Sequence, residues 1–187
     1  MRVFAALPLP TAQVSGLEEL STELCRRYRR LKPVSRQGFH ITLLFWADLP
    51  GEQVRLLEDL LAEPHICSRS PMGAVWGKLG QFPPRGTPRV IFRHIEQGST
   101  EIAAFQSLLT EGVRGLGAGF PLDRRQFRPH VTLARNRGEI MAPADWQDLA
   151  APGEAFEIDR CVLYRSELMP QGPLYTPLKT IMFDGSA

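Results

Sequence analysis

Two short stretches of this sequence combine residues able to move protons with residues able to hold an anion: His40-Ile41-Thr42-Leu43 and His130-Val131-Thr132-Leu133. Each sets an imidazole and a hydroxyl two residues apart inside an apolar run. In a β-strand, residues i and i+2 share a face and the residues between them point the other way. Each stretch therefore presents one His and one Thr side by side on an open face. Ile41 and Leu43, or Val131 and Leu133, turn into a core. With four His and nine Thr in 187 residues, two such strings arise in roughly four of a hundred thousand shuffles, which sets the pair apart from single short motifs. The copies are 90 residues apart, which implies two similar half-units giving one pair each to a shared cleft.

Two imidazoles across a cleft can divide acid and base work near neutrality, because His titrates at about 6.5. Phosphodiester hydrolysis needs that division. A base takes a proton from water and an acid gives one to the departing oxygen. The Thr hydroxyls can donate to the non-bridging oxygens, where charge grows in the transition state. The scheme asks for no metal and no cofactor. The nearest carboxylates, Asp48 and Asp123, stand several residues off the motifs, so a metal–carboxylate centre is not indicated.

The elements that must position these pairs repeat. Arg2 to Leu7 reads as a buried strand stopped by Pro8 and Pro10. Val14, Leu17, Leu20, Leu24, Tyr28 and Leu31 then recur at helical spacing. The cations Arg26, Arg27, Arg29, Arg30 and Lys32 at its end suit either a solvated helix C-terminus or an RNA footprint. After a linker at 33–38 come the first motif strand (39–46), a short helix bearing Val54, Leu57, Leu60 and Leu61, a loop at 64–71, and strands near 73–79 and 89–95. The Pro- and Gly-rich loop between those strands is of the kind that borders sites. The second half follows the same plan. A helix starts near residue 99 or 100 and ends at Gly115, Gly117 and Gly119. The motif strand (130–135), a short helix (143–149) and strands at 156–164 and 175–183 come next. Helix, motif strand, helix, strand, strand occurs twice. The expected fold is α+β, one domain over 1–187 with half-units near 1–97 and 98–187. Each of two pseudo-symmetric lobes is an antiparallel sheet with helices outside and its inner face on the groove.

Composition allows such a core, with 43% hydrophobic and 22% charged residues. Net charge is +2, yet the cations are 19 Arg and 3 Lys. Arg offers a bidentate fork for phosphate; a GC-rich genome gives the same bias. Three Cys without CxxC spacing argue against a disulfide scaffold or a zinc site. No segment approaches the ~20 apolar residues of a membrane span, and no signal peptide is evident. A cytoplasmic monomer is expected.

The motifs and their surroundings resemble the two-histidine (2H) phosphoesterases. Within them, the chain looks most like the bacterial and archaeal RNA 2′,3′-cyclic phosphodiesterases, the LigT-like proteins once described as 2′-5′ RNA ligases. The likeness extends through Met1 to Ala6, Phe127 to Arg135, Leu163 to Leu168 and Gly172 to Leu178, essentially the whole chain. It implies a bilobal fold and metal-independent hydrolysis of an RNA or small nucleotide 2′,3′-cyclic phosphate to a 2′-phosphomonoester. It further implies His40 as proton donor, His130 as proton acceptor, and Thr42 and Thr132 as holders of the phosphate. Strand spacing alone leaves open which His is the acid. One departure from the family is the stretch 34–39 before the first motif, with Leu44-Phe45-Trp46 after it.

Further candidates follow from position. Arg128 shares the strand parity of His130 and can reach a phosphate, whereas Arg135 has the opposite parity and reads as structural. Arg165 can add positive potential. Phe39, Trp46 and Tyr175 can stack on a base. His65 and His94, without a Thr partner, read as ordinary residues. Reversible 2′-5′ ligation and a non-catalytic module binding RNA ends or nucleotides are the competing readings.

Overall fold

A computed structural model of the chain describes residues 1–117, 119–123, 125–138, 140–142, 146–150, 153–170, 172–183 and 185. In chain order the elements are β1 (Val3–Pro8), α1 (Thr11–Arg27), β2 (Leu31–Pro33), β3 (His40–Trp46), α2 (Gly51–Leu61), α3 (Pro64–Cys67), β4 (Met72–Phe82), β5 (Val90–Gln97), α4 (Ser99–Gly115), β6 (His130–Asn136), β7 (Ala155–Ile158), β8 (Arg160–Met169) and β9 (Gly172–Met182). Single 3₁₀ turns lie at Arg36–Gly38 and Gln147–Leu149.

The strands form one antiparallel sheet in the order β7-β4-β5-β6-β3-β1-β8-β9, with β2 also against β6. The α+β architecture is the expected one. Its two half-sheets, however, do not stand as separate walls. They meet where the motif strands β3 and β6 share a single residue pair, Ile41 with Val131. Beyond that pair the strands part. β2 fills the opening by setting Leu31, Lys32 and Pro33 against Asn136, Arg135 and Ala134. One face of the sheet packs on α1 through Val14, Leu17 and Leu24, on α2 through Leu57 and Leu60, and on α4 through Ile102, Phe105 and Leu109, all within one core. The other face stays open.

A pseudo-two-fold relation is visible in β1-α1-β3 and β5-α4-β6, each a 17-residue helix between two neighbouring antiparallel strands. The division at 97/98 does not follow the sheet, because strands β1, β3, β8 and β9 make one half and β4 to β7 the other. The chain changes sides at Asp159. Ile158 pairs with Met72 on β4, whereas Arg160 pairs with Met182 on β9. The single strand expected over 156–164 is therefore two strands, and Asp159 holds the junction by accepting the Phe183 N–H at 2.7 Å and the Arg160 guanidinium at 2.8 Å.

Other differences are local. Helix α1 stops at Arg27 because Tyr28 is extended. Leu31 and Lys32 therefore belong to a strand, and only Arg26 and Arg27 sit in the last helical turn. Residues 64–67 of the expected loop form one helical turn begun by Pro64. Of the short helix expected over 143–149, residues 143–145 lie outside the described residues and 147–149 make one 3₁₀ turn.

Both motif strands carry a β-bulge at the same motif position. On β3, Leu44 faces Ala5 and Thr42 faces Ala6, leaving Leu43 over. On β6, Ala134 faces Ile91 and Thr132 faces Phe92, leaving Leu133 over. An extra residue re-aims everything after it. Leu43 and Leu44 are both buried, as are Leu133 and Ala134, and Phe45 and Arg135 emerge exposed. The displaced Leu133 carbonyl is satisfied by the Val34 N–H at 3.0 Å and the buried Ser21 hydroxyl at 2.7 Å, which ties α1 to the bulge.

Candidate active site

Extending the Ile41–Val131 register by one residue in each direction sets His40 beside Thr132 and Thr42 beside His130. A local two-fold axis thus runs between the motifs. The four polar side chains share the open face, each partly buried, while Ile41 and Val131 are fully buried beneath. Directly opposite residues of an antiparallel pair stand ~4.5–5.5 Å apart at Cβ, and diagonal ones ~7–8 Å. The His–His relation is the diagonal one. A tetrahedral phosphorus between them meets one imidazole on each side and one hydroxyl beside each imidazole.

The rings are held by backbone. His130 Nδ1 lies 2.7 Å from the Arg128 carbonyl, and His40 bonds the Gln37 carbonyl. An Nδ1–H donating to a carbonyl leaves Nε2 for the groove. Burial is the main reason that the His40 imidazole is lowered from 6.5 to about 4, and the nearby His130 lowers it further. Burial also lowers His130. Both rings are therefore neutral near pH 7 in the free protein.

Aromatic rings line the two imidazoles. Phe4 stacks on His40 at 4.8 Å, and Tyr175 meets it edge-on at 5.5 Å. Tyr164 packs against Phe4 at 5.2 Å and lies 6.4 Å from the His40 ring. Phe92 and Phe82 contact His130 at 4.9 and 5.1 Å. His94 stands directly across from His130 on β5, its ring against Phe92 at 4.8 Å. Burial, then His130 and Arg128, lower the His94 imidazole. Gly80 makes room for this group, since a Cβ there lands 2.6 Å from His94 Nε2 and from the Phe92 ring.

The structure brings together most of the candidate residues. His40, Thr42, His130, Thr132 and Tyr175 converge. Arg128 is exposed, supplies its carbonyl to His130 and places its charge near His94. Phe39 and Trp46 do not reach the groove. They are 3% and 2% exposed in the core, Phe39 because it shares the inward parity of Ile41. Arg165 lies next to the groove-lining Tyr164 and so faces the other way, paired with Glu167 at 2.6 Å. Arg135 does not keep the inward face that simple alternation gives it. The bulge turns it to the open side, where its charge and that of Arg2 reach the half-buried Tyr175 hydroxyl. Sequence reasoning does not find Phe4, Phe92 or His94, because only pairing between strands distant in sequence brings them to the motifs.

Comparison with known proteins shows the family of the chain. The profile of the 2′-5′ RNA ligase superfamily matches residues 9–168. A Thermus thermophilus protein named RNA 2′,3′-cyclic phosphodiesterase is 36% identical over 99% of this chain and 91% of its own. A crystal structure from the same organism, of the protein TT0787, superposes with a TM-score of 0.85 at 31% identity over the whole of both chains. Escherichia coli LigT complexed with 3′-AMP shares the fold, with a TM-score of 0.74 at 21% identity over 98% of each chain. The chain belongs to the 2′-5′ RNA ligase superfamily of two-histidine phosphoesterases.

Proposed function

We propose that the protein is a metal-independent phosphodiesterase that opens the 2′,3′-cyclic phosphate at an RNA 3′ end to a 2′-phosphomonoester. The observation that carries this reading is the Ile41–Val131 pairing of the two motif strands, whose register, extended by one residue each way, sets the two imidazoles diagonally with each beside the other motif's Thr. His130 takes a proton from water as its oxygen bonds to phosphorus. The P–O3′ bond breaks, and His40 gives its proton to O3′. Thr42 and Thr132 donate to the non-bridging oxygens, and Arg135 adds positive charge at the same face. Tyr175 and Phe4 offer an apolar wall for the terminal nucleoside. The names of relatives from Thermus thermophilus and Thermotoga maritima, both RNA 2′,3′-cyclic phosphodiesterase, support the substrate class. All four motif residues come from one chain, so the monomer is taken as the working unit. The cytoplasm is the compartment proposed, where a reducing pool keeps thiols such as Cys25, Cys67 and Cys161 free.

The test is conversion of an RNA oligomer ending in a 2′,3′-cyclic phosphate, in excess EDTA, followed by identification of the product end. Full activity with a 2′-phosphate product is expected. A rate abolished by the chelator and restored by a divalent ion, or a 3′-phosphate product, would overturn the scheme. A second expectation concerns the backing of His130. Gly80→Ala should drive the Phe92 and His94 rings toward His130 and lower kcat by ~10-fold or more in a protein that still folds, since small misplacements are costly in catalysis. An unchanged kcat with an unchanged melting temperature would mean that those rings do not position His130.

A further inference from the structure

The net charge of +2 conceals a sharp segregation. Residues 24–47, 64–95 and 124–138 hold sixteen of the 22 Lys and Arg and none of the 20 Asp and Glu. These segments carry all of β2, β3, β4 and β6, and β5 as far as Ile95, so β6 and every residue paired with it are free of carboxylates. Among the described residues, the acidic side chains lie on α1, α2, α4, β7, β8, the far end of β5 and the loops.

On the open face of β6 the cations form a row. After the bulge, Arg135 continues the face begun by His130 and Thr132, and Arg137 follows in the bend just past the strand's end; both are exposed. Lys32 stands directly opposite Arg135 on β2 and is exposed as well. Like charges directly opposite each other destabilise a sheet. Nothing offsets them locally: among the described residues Lys32, Arg135 and Arg137 make no ion pair. Cations nearby are treated differently. Arg26 and Arg27 are paired with Glu23, and Arg36 with Glu18. An uncompensated row that starts at a phosphate-binding pair is suited to a polyanion.

We propose that this row seats the RNA chain leading into the cyclic end. Phosphodiesters on the 5′ side of the terminal nucleotide lie over Arg135, Lys32 and Arg137, and the preferred substrate is an oligonucleotide end rather than a free nucleoside 2′,3′-cyclic phosphate. At ~3.3 Å per residue, Arg135 lies ~10 Å along the strand from Thr132, and Arg137 comes two residues further on, enough for the next phosphates of an extended chain. The inference rests on the cyclic phosphodiesterase reading above.

The experiment compares kcat/KM for a short RNA with a 2′,3′-cyclic end against that for a 2′,3′-cyclic mononucleotide, in wild type and in Lys32→Glu/Arg137→Glu. The wild type should prefer the oligomer. The variant should lose ~10-fold or more on the oligomer and nothing on the mononucleotide, whose unchanged turnover also certifies the fold. Its dependence of log(kcat/KM) on log[salt] should flatten by ~1.4, about 0.7 for each lost phosphate contact with a single strand. Lys32→Arg should keep the preference. Equal selectivity in wild type and variant would overturn the proposal. If the wild type opens neither substrate, the functional reading fails instead. Fluorescence anisotropy with a labelled RNA bearing a 2′-phosphate end then tests the row alone: a ~10-fold loss of affinity in the variant supports it, and equal binding refutes it.

Discussion

Replacing His40 or His130 by alanine is expected to lower kcat by ~10²–10⁴-fold on a cyclic phosphate, the usual worth of a positioned proton-transfer group. The two losses should differ in character. Without His40 the rate needs only a neutral His130, so it should rise with pH to a plateau and lose its alkaline limb. Without His130 it needs only a protonated His40, so the acid limb should vanish. A phosphodiester with a nitrophenyl leaving group needs no proton at the departing oxygen. On that substrate the His40→Ala loss should largely disappear while the His130→Ala loss persists. The opposite pattern would exchange the acid and base roles, and loss of neither limb would end the two-imidazole scheme. Removing both groups should cost little more than removing one, because residues acting as a unit are far from additive.

The candidate site was legible in the sequence because each half of it is local. His40 with Thr42, and His130 with Thr132, need only the two-residue period of a strand to share a face. The helices were legible for the same reason, through apolar spacing. What failed was set by partners far along the chain. Arg135 reads as inward by alternation, and only the Ile91–Ala134 and Phe92–Thr132 pairings reveal the bulge that turns it outward. Phe39 and Trp46 looked like base-stacking residues by type, yet both are core. Phe45, between two buried neighbours, is the exposed ring, covered by Arg2 at 4.7 Å. The sheet order escaped because two motif copies suggest two consecutive halves. The closing strands β8 and β9 instead return to β1, while β7 stays with β4. A break at Asp159, inside what reads as one apolar run, leaves no local mark strong enough to announce that the chain changes sides.

Electrostatics of the free site lead to the second large effect. An acid that is neutral at rest must gain its proton when substrate arrives. With His40 lowered to about 4, roughly one free molecule in a thousand carries that proton at pH 7, since each pH unit above the pKa is a factor of ten. Above the lowered value of His130, the fraction holding a protonated His40 and a neutral His130 falls tenfold per unit. Because kcat/KM reports the free protein, it should peak between pH ~4 and a value below 6.5 and be suppressed at pH 7. The bound phosphodiester brings a negative charge between the two imidazoles, which favours the imidazolium and raises both values. The kcat optimum should therefore lie at least one pH unit above the kcat/KM optimum. Binding of inorganic phosphate at pH 7 should take up protons, as measured by calorimetry in buffers of different ionisation enthalpy. Coincident optima for kcat and kcat/KM, with no proton uptake, would mean that the acid is already charged in the free protein. The dry setting of His40 among Phe4, Tyr164 and Tyr175 would then not govern its proton.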